Sequence, residues 1–152
     1  MVLGAAEVTR MFDIRFGRRA ISYDEDGYFG SLYIEEKREG FFSNLSFFSK
    51  EKYEESWRNS AKRLLETGKS YFLTNVYRPR NANFINSWPC QILENRVFIQ
   101  EKLLFRWQHS MKRAINFDLV LDDMDFVNED GERISTWSTS INSVEQFLAR
   151  QA

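Results

Sequence analysis

One cysteine and one histidine are all that 152 residues offer toward thiolate or imidazole chemistry. A zinc site of that kind needs several such ligands, so Cys90 and His109 alone exclude it. A single Cys90 also excludes an internal disulfide and fits a reducing compartment, which makes the cytoplasm the expected location. Prolines number two and glycines seven, and none of them spells a phosphate-cradling loop, a dinucleotide-binding turn or a nucleophile elbow. No run approaches the roughly 20 apolar residues of a membrane helix, so no membrane partner is expected. Excess charge is lacking too. Lys and Arg total 21 against 22 Asp and Glu, a net charge of −1, which gives no global pull toward nucleic acid or anionic lipid. Repeats, low-complexity tracts and Pro/Gly linkers are absent, and nothing calls for a cofactor.

Aromatic residues are plentiful. They make up 16% of the chain, led by fourteen Phe, within a hydrophobic content of 43%. Large rings bury much area each, so a chain of this length can hold one domain together without staples. The expected organisation is a tail over residues 1–10, with a short helix there as the alternative, and a single domain over 11–152.

Hydrophobic periodicity predicts an α+β domain. Phe12 to Phe16 alternates with a period of two, as a half-buried strand does. Ala20 to Tyr23 reads as a second short strand, turning at Asp26-Gly27. Phe29 to Glu35 reads as the next, with Leu32 and Ile34 on one face. Ser49 is a good N-cap for a helix over Lys50 to Thr67, which contains no Gly or Pro and stops at Gly68. On it Tyr53, Trp57, Ala61, Leu64 and Leu65 form one apolar stripe. Strand character returns from Ser70, with Tyr71, Phe72, Leu73, Val76 and Tyr77, followed by a loop at Arg78-Pro79-Arg80-Asn81. Phe84 to Leu93 and Arg96 to Phe105 read as a hairpin turning at Glu94-Asn95. Pro89 cannot donate to a ladder, which predicts an edge strand or a bulge. Gln108 to Arg113 reads as a polar connection, Ile115 to Leu121 as a strand, Asn128 to Gly131 as a turn and Arg133 to Ser138 as a strand. Asn142, with Glu145 three residues on, reads as the cap of a closing helix that turns Val144, Phe147 and Leu148 inward. The expected architecture is a mainly antiparallel curved sheet carrying a long central helix and a C-terminal helix.

Charge is segregated along the chain. Arg10, Arg15, Arg18 and Arg19 precede Asp24, Glu25 and Asp26. Arg106, Lys112 and Arg113 precede Asp118, Asp122, Asp123, Asp125, Glu129 and Asp130, and no Lys or Arg lies between Ala114 and Gly131. Three chemistries compete for these residues. Cys90 with His109 is a conceivable nucleophile and base. Glu35, Glu36 and Asp122 suggest a carboxylate-dependent hydrolase, although neighbours on a strand point to opposite faces. Arg106, Trp107 and Lys112 suggest stacking and phosphate contacts to single-stranded nucleic acid. The residues favour none of these over plain binding. An aromatic-rich domain with an acidic surface suits a basic macromolecular partner, with opposite charge speeding encounter and buried rings supplying affinity.

One order of motifs narrows the partner. Leu45-Ser-Phe-Phe-Ser-Lys-Glu-Lys-Tyr-Glu-Glu-Ser-Trp57 resembles the strand-to-helix opening of immunity proteins from contact-dependent growth inhibition systems, in which a Tyr and a Trp four residues apart begin the main helix. The similarity runs on through Leu64 to Thr74, Trp88, Asn95 to Leu104, Asp130 to Trp137 and Phe147-Leu148. The resemblance implies a non-enzymatic cytoplasmic protein. It would bind the C-terminal toxin domain of a surface effector, with many such toxins being nucleases, and neutralise it stoichiometrically. It hands over no contact residues. Charge supplies the expectation instead: Asp122, Asp123, Asp125, Glu129 and Asp130 mimic phosphates before a basic cleft, with Asp24, Glu25 and Asp26 as a second patch, and no direct nucleic-acid contact.

Overall fold

The computed structural model describes residues 11–151, so the expected N-terminal tail lies outside the described residues. Strands β1 (Phe12–Ser22), β2 (Glu25–Ile34) and β3 (Lys37–Asn44) form an antiparallel meander in that order. Tyr23 and Asp24 both take positive φ (51° and 61°) and join β1 to β2 as a two-residue primed turn. The turn expected at Asp26-Gly27 is therefore placed too late, and Ala20 to Ser22 is the far end of β1 rather than a separate strand. Gly27 pairs with Ala20 and Asn44 inside the sheet. A Cβ there would strike the Phe42 ring and the Ser43 carbonyl, so close strand approach, not a turn, requires the glycine. Glu35, at φ 56°, belongs to the turn between β2 and β3 rather than to the strand.

Helix α1 spans Lys50–Thr67, as the sequence predicts. The Lys52 amide donates to Ser49 Oγ (3.1 Å), and Gly68, at φ 84°, returns its N–H to Leu64 O (2.8 Å). The second sheet contains β4 (Lys69–Asn75), β5 (Phe84–Leu93), β6 (Arg96–Ile99), β7 (Lys102–Phe105) and β8 (Trp137–Ser140), with order β4-β5-β6-β8 and β7 also on β5. Glu94 and Asn95, at φ 50° and 65°, make the expected hairpin turn. Pro89 overturns its own expectation: β5 is central, paired to β4 on one side and to β6 and β7 on the other. The cost falls on the facing strand. Gln100 N–H reaches Pro89 O (3.0 Å), but Pro89 has no hydrogen to return, and the ladder breaks at Gln100-Glu101 between β6 and β7.

The rest of the chain departs further from its pattern. The supposed polar connection contains a short helix, α2 (Met111–Ile115), capped by Ser110 and burying Met111 and Ala114. No strand forms over Ile115 to Leu121, and the last strand is β8, four residues later than the expected Arg133 start. Helix α3 (Ile141–Gln151) is capped by Ser140, whose Oγ accepts from the Ser143 amide (3.0 Å), not by Asn142. Val144 and Phe147 are buried, with Leu148 packed at the margin.

The architecture is α+β as expected, in two antiparallel sheets rather than one. The core lies between them and is clamped by α1. Phe12 of β1 meets Phe72 of β4 (ring centres 5.5 Å apart) and Phe147 of α3 (5.3 Å). Trp57 of α1 packs on Phe16 (4.7 Å) and donates from Nε1 to Leu73 O (2.9 Å). At the seam between the sheets, Tyr53 OH donates to Asn44 O (2.7 Å) and accepts from the Val76 amide (3.0 Å). Ser43 Oγ donates to Thr74 O beside it, and the Asn44 amide donates to Asn75 Oδ1 (3.0 Å). Buried backbone groups at the junction are thereby satisfied by side chains.

Candidate functional site

Residues 116–136 contain no helix or strand, only an isolated bridge between Val127 and Arg133. All five expected carboxylates of the principal patch, Asp122, Asp123, Asp125, Glu129 and Asp130, lie in this segment and are exposed. Its irregular backbone is held by side chains from the rigid elements. Arg63 of α1 donates to the Phe117 and Leu119 carbonyls, and Lys69 of β4 donates to Leu121 O (3.4 Å). Gln91 of β5 donates to Asp123 Oδ1 (3.1 Å) and accepts from the Met124 amide (2.8 Å). Gln100 donates to Asp125 O and to Thr136 Oγ1, both at 2.8 Å. The far end closes on itself: Ile134 N–H reaches Phe126 O (2.9 Å), and Asn128 Oδ1 accepts from the amides of Asp130 and Glu132. Gly131, at φ 80°, completes the expected turn there.

The carboxylates are not equivalent. Asp123 pairs with Lys69 (2.5 Å), and that ammonium, then the Gln91 amide, hold its carboxyl below the usual carboxylate range. Among the described residues, none of Asp122, Asp125, Glu129 and Asp130 has a cation within ion-pair distance. Apolar surface is interleaved with this charge: Phe126 is 40% exposed and Val127 52%, with Phe126 edge-on to Phe98 (5.5 Å). Between segment and sheet lies a cleft of about 290 Å³, lined by Lys69, Gln91, Gln100, Lys102, His109 and Asp122 among others. Burial, then Lys102, push the His109 pKa down, while Asp122 pulls it up.

The second patch is partly compensated. Arg19 grips Asp26 with two hydrogen bonds (3.0 and 2.5 Å), which hold that carboxyl low, and Glu25 accepts from Tyr77 OH (2.8 Å). Asp24 stands exposed in the primed turn. The three residues do share the hairpin end, and among the described residues only Asp26 of the three is matched by a cation, with Glu25 held by a neutral hydroxyl.

The competing chemistries are dispersed by the fold. Cys90 and His109 line the same cleft, yet no hydrogen bond joins them among the described residues, and burial pushes the Cys90 thiol far up, away from the thiolate. Glu35 is bound to Arg96 (3.5 Å) and lines, with Glu36, a depression that does not include Asp122. Arg106 spends its guanidinium on the Ala82 and Pro79 carbonyls (2.8 and 2.6 Å), fixing the loop that precedes β5. Trp107 is 77% exposed and stacks on Phe105 (5.9 Å). Sequence reasoning missed the two glutamines. Their signal is a long polar amide within an apolar strand run, at Gln91 after Trp88-Pro89-Cys90 and at Gln100 after Val97-Phe98-Ile99.

Comparison with known proteins places this geometry. Immunity protein CdiI of Enterobacter cloacae subsp. cloacae is 26% identical over 118 residues, which is 77% of this chain and 81% of that protein. A chain of the solved CdiA-CT/CdiI toxin and immunity complex from Enterobacter cloacae shares the fold with a TM-score of 0.81 at 26% identity, across 92% of this chain and 97% of that one. Residues 43–147 match the family described as the CdiI N-terminal domain, a span that holds the Tyr53 and Trp57 helix opening, both clamping glutamines and the acidic segment. By that match, over more than half its length, the chain belongs to the CdiI N-terminal domain family.

Proposed function

We propose that this protein is an immunity protein that binds the C-terminal toxin domain of a contact-dependent growth inhibition effector and blocks it by occupying its surface. The observation that carries the reading is the near full-length likeness to a chain from a toxin and immunity complex, over 92% of this chain. The immunity protein acts in the cytoplasm, one copy per toxin domain, without turnover and without a cofactor. The toxin domain is a nuclease, and the immunity protein presents carboxylates where the nuclease expects phosphates. Exposed acids beside exposed Phe126 and Val127 support this, since such a surface combines steering charge with apolar anchors. The contact set is Asp122, Asp125, Glu129 and Asp130, with Asp123 held back by Lys69 and with Asp24, Glu25 and Asp26 secondary.

Co-expression tests the reading. The cognate C-terminal toxin domain is induced in cells with or without this chain. Restored growth with this chain, and none with an unrelated immunity protein, is the expected result. Growth arrest despite soluble expression of both proteins would overturn it.

A further inference from the structure

We infer that Gln91 and Gln100 are positioning residues that fix the acidic segment in the conformation its partner reads; this rests on the assignment of that segment as the contact surface. A stretch of 21 residues (116–136) with one isolated bridge, Val127 to Arg133, in place of a ladder has little backbone pairing to hold one shape. Both glutamines are only 8% exposed and project from the sheet beneath it. Gln91 uses both ends of its amide on successive residues, the NH2 on the Asp123 carboxylate and the oxygen on the Met124 amide. Gln100 sits in the ladder break opposite Pro89 and spends its NH2 on both limbs of the segment, Asp125 outgoing and Thr136 returning.

The residue type matters as much as the position. An Arg or Lys at either place would also grip the segment, but it would cancel the field that the partner senses, as Lys69 does at Asp123. A neutral amide holds an acidic loop without discharging it. Position 100 also explains Pro89: the proline opens the ladder where a side chain, not a strand, ties down the segment.

The test uses Gln91→Met and Gln100→Met in the full chain, side chains of similar length with no amide. Amide hydrogen exchange at Met124 is expected to rise about tenfold in Gln91→Met, as loss of one buried hydrogen bond implies, and at Ile134 in Gln100→Met. Amides of α1 and β5 keep their rates. The cognate C-terminal toxin domain dissociates about tenfold faster from each variant. Exchanging the pair, Gln91→Glu with Asp123→Asn, keeps the total charge and reverses donor and acceptor, and it restores both readouts. Unchanged exchange at Met124, or failure of the exchanged pair to restore it, would overturn the clamp. Faster exchange with undiminished toxin affinity would leave the clamp standing and overturn the segment as the contact surface.

Discussion

At the residue scale, the tyrosines of the core carry two jobs, and each job has a measurable signature. Tyr53 OH satisfies Asn44 O and the Val76 amide at the seam between the sheets. Tyr53→Phe leaves both backbone groups unpaired in the interior and should lower unfolding free energy by about 2 kcal/mol, measured by denaturant titration. Tyr71 donates to Ala114 O (2.9 Å), and burial pushes its pKa up to about 12. An unfolded tyrosine ionises near pH 10, so the folded state binds this proton more tightly. The stabilisation is complete below pH 10 and is lost as pH rises toward 12. Tyr71→Phe should therefore lose less stability than the parent between pH 10 and 12, read from denaturation midpoints across that range; an identical slope would contradict the assignment. Side-chain burial of this kind was legible beforehand. The spacing of Tyr53, Trp57, Ala61, Leu64 and Leu65 places one face of α1 inward; the first four are buried and Leu65 packs half-buried against the core. The clamping role of Gln91 and Gln100 was not, because a polar residue in a strand looks like an outward-facing one until its neighbours in space are known.

At the element scale, glycines separate two causes of local structure. Gly68 closes α1 at φ 84° with nothing near its absent side chain, so Gly68→Ala carries only the conformational penalty, about 1 kcal/mol. Gly27 has extended backbone, yet a Cβ there would meet the Ser43 carbonyl, which cannot rotate away. Gly27→Ala should thus destabilise more than Gly68→Ala, with the two compared by thermal and denaturant unfolding. The same distinction explains which elements could be read from sequence. Helix α1, its two caps and the Glu94-Asn95 hairpin follow from local rules. The first hairpin turn was misplaced because Asp26-Gly27 carries a turn signature for a packing reason, while Tyr23-Asp24 does the turning. Ile115 to Leu121 alternates like a strand, but its carbonyls are taken by Arg63 and Lys69 from distant elements, and among the described residues no strand pairs with it. Strand β3, Lys37–Asn44, was missed because its stretch from Lys37 to Gly40 has no alternation, and pairing along β2 supplies what the pattern lacks.

At the scale of the whole molecule, a net charge of −1 conceals a polarised surface. The acidic segment projects carboxylates with little internal compensation beyond Lys69, while Arg19 compensates Asp26 of the other acidic patch. Replacing Asp122 and Asp125 together with Lys should slow association with the toxin domain at low salt, by tenfold or more, and flatten its dependence on ionic strength. Replacing Asp24 and Asp26 should change it little. Stopped-flow association at several salt concentrations separates these outcomes. The acidic character of the segment and the family likeness were legible in the sequence; the inequality among its carboxylates was not, since it depends on where β4 and β5 bring Lys69 and Gln91.

The most direct measurement is a titration of the purified cognate C-terminal toxin domain with this chain, following toxin activity and heat of binding together. Saturation at one chain per toxin domain, with activity falling in proportion to the complex formed, is the predicted result. Full toxin activity at saturating amounts of folded chain, or tight binding that leaves the activity untouched, would contradict neutralisation by surface occlusion.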